Sequence, residues 1–287
     1  MKTPEKFLRS KEAHKAPTFL DMVTDGLAMT FAPVSDFARS VGNHFILLAQ
    51  AAFWAVRRPF RGRLFLEAAD FIGVGSVPII ALVGGFTGMV TALQAVNQLK
   101  LVGVESYAGA ATAVALATEL GPVMTALMLS GRAGAGIATE LGTMRITEQI
   151  DALETMAVSP VQYLVVPRVL IGMLITPILV LLFFGVGMLG AYLVAVKGLG
   201  VDPGGFASKL DSTLQMTHLV QGIIKALVFG MFFSLVGCFQ GYHATGGGRG
   251  VGLATTRAVV IASVGILVLD YFLTDIILVV MPAKGGG

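Results

Sequence analysis

The sequence predicts an all-α, polytopic membrane protein, and three observations carry that prediction. Only 13% of the 287 residues are charged against 55% hydrophobic, with a mean hydropathy of +0.81, whereas soluble domains carry about 25% charged residues. Residues 71–99 and 169–196 hold no charge at all, and each run exceeds the roughly 20 residues a helix needs to cross the hydrocarbon. Glycine is the third observation: 36 residues, about twice the usual share, suit helices packed closely in lipid, where small residues let backbones approach. A single cysteine, Cys238, excludes an internal disulfide, and the four histidines are too scattered to form a ligand pair, so no metal site is expected.

Taken in order, residues 1–70 form a basic tail followed by an amphipathic stretch. The first 20 residues carry five lysines and arginines but no apolar core of signal-peptide length, so a retained cytoplasmic N-terminus is expected. Residues 37–56 are too briefly apolar to span and read as an interfacial helix, with Trp54 at headgroup level. Arg57, Arg58, Arg61 and Arg63 then suit anionic lipid on the cytoplasmic leaflet rather than nucleic acid.

A membrane-embedded body follows at 71–283, with five spans at about 71–99, 109–130, 169–196, 222–242 and 258–281. In the first, Gly84 and Gly88 make a GxxxG face and Gln94 places an amide near the outer end. The second holds Glu119 near its middle. The third contains Gly185, Gly187 and Gly190, a formal GxGxxG that lies inside an apolar helix and therefore reads as helix packing, not as a nucleotide fingerprint. Asp202-Pro203-Gly204-Gly205 predicts a turn in the next connection, with a short helix from Ser208. Lys225 sits near the outer end of the fourth span, and its expected partner is Asp275 of the fifth, at similar depth; Asp270 is left without a named partner. Between these spans, residues 243–256 read as a glycine-rich loop.

The most informative stretch is Glu119–Arg168, polar and charged yet set between two spans. Gly121-Pro122 interrupts the helix, because proline cannot donate to the carbonyl four residues back. Gly142 is expected to stop the helix beyond it. Thr147 then reads as the N-cap of a short amphipathic helix, with Glu148, Asp151 and Glu154 on one side and Ile146, Ile150, Leu153 and Ala157 on the other, ended by Ser159-Pro160. Helices that lie on membranes favour Lys and Arg on their polar face. This one is acidic, which favours a protein partner.

The strings ELGP, SGRAGAGIATELGTMRITEQIDALETM and SPVQYLVVPR, with LATTRAVV and VLDYFLT nearer the C-terminus, resemble the MlaE (YrbE) family of ABC-transporter permeases from lipid transporters that work with MCE-domain proteins. The resemblance implies a homodimer, two ABC ATPase subunits on the cytoplasmic face, an MCE-protein ring on the other face and a small regulatory subunit on the ATPase. It implies phospholipid or a related lipid as cargo and a bacterial inner membrane as location, and no nucleic-acid partner is expected. The ATPase-coupling candidates are then Glu140, Arg145, Glu148, Asp151 and Glu154; the lipid-path candidates are Gln94, Glu119 and Lys225; Asp270 and Asp275 are structural charges.

Charge asymmetry orients this body. With the N-terminus inside, residues 1–70, 131–168 and 243–257 place 10, 3 and 2 Lys and Arg in the cytoplasm against 1, 3 and 1 outside, which satisfies the positive-inside rule and puts the C-terminus in the periplasm. No GxxxxGK[ST] occurs, so ATP and Mg are expected on a partner, with no cofactor in this chain. An intramembrane aspartyl protease is disfavoured because Asp270 and Asp275 lie on one helix, while a dyad must converge from two elements. The remaining alternative is a self-contained ion-coupled transporter or channel using Glu119.

Overall fold

The computed structural model describes residues 41–55, 57 and 61–280, and among these every regular element is helical. Helix α1 covers 41–55, within the expected interfacial stretch; Arg58, residues 37–40 and the remainder of the basic tail lie outside the described residues, as do 281–287. Five long helical runs follow, Gly62–Lys100, Glu105–Ile146, Val161–Gly198, Met216–Tyr242 and Gly247–Val280, each long and apolar enough to cross a membrane. The chain is a multi-pass membrane protein. The outward faces of these runs, with Leu82, Phe86, Ile178, Leu189 and Val264, are left uncovered by the chain, as helices solvated by acyl chains require.

Every run extends beyond the apolar stretch that reveals it. The first is bent: α2 (Gly62–Ile72) gives way to a 3₁₀ turn at Val74–Ser76 and then α3 (Val77–Lys100), with Pro78 in its opening turn, where a missing N–H costs nothing. Arg132 reaches across to this break, its Nη1 donating to the Phe71 carbonyl at 2.9 Å and to Ser76 Oγ at 2.8 Å. The second run comprises α4 (Ala108–Ala115), α5 (Gly121–Leu129) and α6 (Ala135–Ile146), joined by π-helical turns at Leu116–Leu120 and Ser130–Gly134. The Gly121-Pro122 interruption thus takes the form of a widened turn whose extra residue accommodates the proline ring.

Three expectations for the next segment are corrected. Gly142 does not stop the helix; it is buried in α6 beside Val251 and Ala244, where its small volume serves packing. Thr147 is not an N-cap but the C-cap of α6, its hydroxyl donating back to the Thr143 carbonyl at 2.8 Å. The short helix α7 (Gln149–Thr155) starts instead from Glu148, held at φ 59°, and ends before Ser159-Pro160, with Ala157 at φ 57°. Pro160 opens the third run, a π-helical turn at Val161–Val165 leading into α8 (Val166–Tyr192) and closing with a second at Leu193–Gly198.

Beyond it, α9 (Pro203–Thr213) begins five residues before Ser208, because Asp202 caps it by accepting from the Gly205 N–H at 2.5 Å. Phe206 of α9 is buried against Val96, Ala108 and Ala195, which ties the connection to the ends of the spans. Helix α10 is Met216–Tyr242 and α11 is Gly247–Val280. The glycine-rich segment is therefore mostly helix, and only 243–246 forms the turn, with Val251 and Ala254 buried on the inner face of the first turns of α11.

The core forms where α8 packs on α3 and α10, and α10 on α6 and α11. Gly88 of the GxxxG face lies against the Gly187 carbonyl so closely that a methyl group would overlap it, which confirms the packing role of both glycine patterns. Gly88→Val is accordingly expected to cost about 1–3 kcal/mol by overpacking, read as a lower melting temperature in detergent; an unchanged melt would mean the two helices are free to separate.

Candidate functional site

Two polar assemblies stand out against this apolar frame. The first joins three spans. Lys225 of α10 is only 2% exposed, and its ammonium reaches Glu119 Oε2 at 2.5 Å, Thr274 Oγ1 at 2.8 Å and Asp270 Oδ1 at 2.9 Å. Thr274 also donates to the Asp270 carbonyl at 2.7 Å, which fixes its rotamer. Glu119 belongs to the π-helical turn before Pro122, and α10 can approach that turn because Gly222 lies directly on the Ala117 carbonyl, where a methyl would collide.

The predicted Lys225–Asp275 pair is corrected to Lys225 with Glu119 and Asp270. The cause is the start of α10. It begins at Met216, six residues before the expected Gly222, so Lys225 lies about 9 Å deeper than supposed, level with Asp270. Asp275 is exposed, and five residues from Asp270 turn it about 140° around the helix. Thr274, one helical turn from Asp270, was the residue to add; its i+4 spacing on the same face was the available signal.

Buried charges in a membrane pair with one another, because an unpaired ion at mid-span costs several kcal/mol. Here one cation faces two carboxylates. Glu119 braces the helix break and also keeps 42% of its side chain exposed, whereas Lys225 presents no charge to the outside. Gln94 stands apart, exposed on α3 with no hydrogen bond to this group among the described residues.

The second assembly is α7 and its supports. Ile150 is fully buried and Leu153 packs on the same core, which pins the apolar side. On the polar side Arg145 Nη1 bonds Asp151 Oδ1 at 2.5 Å, and the Tyr242 hydroxyl donates to Glu154 at 3.2 Å. Glu140 pairs with Arg168 Nη2 at 2.8 Å, stapling α6 to the opening of α8. Glu148 supplies the left-handed residue at the start of α7. Arg168 and Tyr242 are functional neighbours that spacing alone does not reveal, since each lies on a different span. Asp151 remains 52% exposed despite its partner, so α7 offers a fixed acidic surface rather than a mobile loop.

Comparison with known proteins places this architecture. The Permease MlaE family profile matches residues 65–276. A probable ABC transporter permease protein of Rickettsia conorii is 39% identical over 240 residues, covering 84% of this chain and 93% of that protein. The intermembrane phospholipid transport system permease protein MlaE of Haemophilus influenzae is 36% identical over 258 residues, covering 89% and 98%. The Arabidopsis thaliana protein trigalactosyldiacylglycerol 1, chloroplastic, is 33% identical over 230 residues, covering 80% and 66%. With the profile spanning most of the chain and five helical runs that suit it, this protein belongs to the MlaE permease family of ABC transporters.

Proposed function

We propose that the chain is the membrane permease of an ABC lipid transporter, moving phospholipid or a related lipid between a bacterial inner membrane and an MCE-domain protein ring. Two copies form the pathway, two separate ATPase subunits with a small regulatory subunit sit on the cytoplasmic face, and they bind the ATP and Mg. The N-terminus is cytoplasmic and the C-terminus periplasmic, in line with the positive-inside count. The phospholipid transport named for the Haemophilus relative supports the cargo.

The observation that carries this reading is α7. A seven-residue helix with a fully buried Ile150, an exposed Asp151 and an arginine brace is a rigid acidic knob on the face where an ATPase would dock. A force applied to it passes through Ile150 into the spans. In the lipid path, Glu119 would meet headgroups at the protomer boundary while Lys225 and Asp270 hold it in place. The tagged chain, expressed with its candidate ATPase, is expected to copurify with it in equal numbers and to stimulate ATP hydrolysis when phospholipid is present. A chain that purifies alone and transports alone would overturn the assignment. The ion-coupled alternative would use Glu119 as its ion site, but the Lys225 ammonium already occupies the position a cation would take.

Substitution at Glu119 separates its two roles. Glu119→Ala leaves the Lys225–Asp270 pair intact, so assembly should survive while lipid-stimulated ATPase activity and lipid transfer fall several-fold. Loss of dimer yield before loss of transfer would assign Glu119 to bracing alone.

A further inference from the structure

A cavity of about 190 Å³ lies where the end of α1, the start of α2 and the segment after α7 meet, lined by Trp54, Arg57, Arg61, Ser159, Gln162 and Tyr163 among others. Each of its two guanidinium groups lies over an aromatic ring: Arg57 sits 4.0 Å over the Phe53 ring and 5.7 Å from that of Trp54, and Arg61 sits 5.0 Å over Tyr163. A guanidinium held by a cation–π contact still has N–H groups to offer an oxyanion. Neither arginine has a carboxylate partner among the described residues, although Arg63, Arg145 and Arg168 each have one. Gln162 Nε2 donates to the Arg57 carbonyl at 2.9 Å, which fixes the loop, and Ser159 lines the same wall half-buried.

We infer that this cavity binds the phosphate of an anionic phospholipid headgroup from the leaflet around α1, as a lipid retained at the coupling side and separate from any transported cargo. Two arginines with no carboxylate partner among the described residues set the charge of the ligand, since Arg matches phosphate bidentately. The surroundings set its source. Phe53 and Leu66, flanking the site, are 54% and 72% exposed, a surface for acyl chains rather than for water, and Trp54 stands at the rim where indole favours the bilayer interface. Ala157, Val158 and Ser159 on the wall connect directly to α7, so headgroup occupancy bears on the acidic knob.

Trp54 is the chain's one tryptophan, which makes the site its own reporter. The full chain is reconstituted in phosphatidylcholine vesicles, and Trp54 fluorescence is followed as phosphatidylglycerol or phosphatidylcholine, each brominated near the headgroup end of its chains, is titrated in. Brominated phosphatidylglycerol is expected to quench at roughly tenfold lower mole fraction, as two arginines near the surface imply. Arg57→Gln with Arg61→Gln should reduce that preference to about twofold or less, and Arg57→Lys with Arg61→Lys, which keeps the charge but loses the planar fork, should lose part of it. Arg249→Gln, which removes an exposed charge outside the cavity, should leave it intact. Equal quenching by the two lipids in the unaltered chain would overturn the inference, as would the same loss in Arg249→Gln. Abolition of the preference by millimolar inorganic phosphate would also overturn it, by showing a site for soluble anions.

Discussion

Asp151→Lys combined with Glu154→Lys is expected to abolish ATPase stimulation while leaving the chain inserted and dimeric. The pair reverses the acidic face of α7 and sets a lysine beside Arg145, so an ATPase groove that attracts the native surface would now repel it. The cost to the fold is small. Both carboxylates are exposed, and partners of exposed ion pairs contribute about 0–1 kcal/mol, while the buried Ile150 anchor is untouched. Stimulated hydrolysis should drop at least tenfold, with copurification of the ATPase lost and the melting temperature of the permease nearly unchanged. Unaltered copurification would remove α7 from the interface. A membrane-lying helix would respond in the opposite sense, binding surfaces more tightly through its new lysines.

Lys225→Met is expected to give the largest loss of stability. It leaves Glu119 and Asp270 facing each other without their shared cation, and removing one partner of a buried pair costs about 3–5 kcal/mol because the remaining charge is stranded. Thr274 cannot compensate, as its one proton is shared between the Asp270 carbonyl at 2.7 Å and Glu119 Oε1 at 3.5 Å and carries no charge. The loss should appear as a lower melting temperature and poor dimer yield in detergent. Adding Glu119→Gln and Asp270→Asn to Lys225→Met should restore much of the stability by removing the stranded charges, though not lipid transfer. If the single change melts like the native chain, the three-span ion cluster does not hold the fold together.

The spans are legible in the sequence because a bilayer demands some 20 apolar residues and little else meets that demand. Their ends are not, and the ends decide the chemistry. Hydropathy locates the apolar centre of α10 but misses Met216–Gln221, whose polar residues continue the helix into the headgroup region; that shortfall of six residues moves Lys225 from Asp275 to Asp270. In the same way Gly142 and the glycines at 247–252 read as breaks by helix propensity, yet all are helical, because Gly142 packs against Val251 and Ala244 and Val251 carries that contact into the start of α11. The acidic face of α7 is visible in its spacing, whereas its supports are not: Arg168 and Tyr242 reach Glu140 and Glu154 from other spans, and nothing in local pattern links them. Glu119 is identifiable as an exceptional charge beside Pro122, but its partner emerges only from the close approach of Gly222 to the Ala117 carbonyl.

The most direct measurement of the central claim is lipid movement in proteoliposomes that contain this chain with the proposed ATPase and MCE-domain protein, followed with a fluorescent phospholipid. Transfer between the vesicle and the MCE protein that requires both ATP hydrolysis and the native α7 surface is the expected result. Transfer by the chain alone, driven by an ion gradient and indifferent to ATP and to Asp151→Lys with Glu154→Lys, would contradict it.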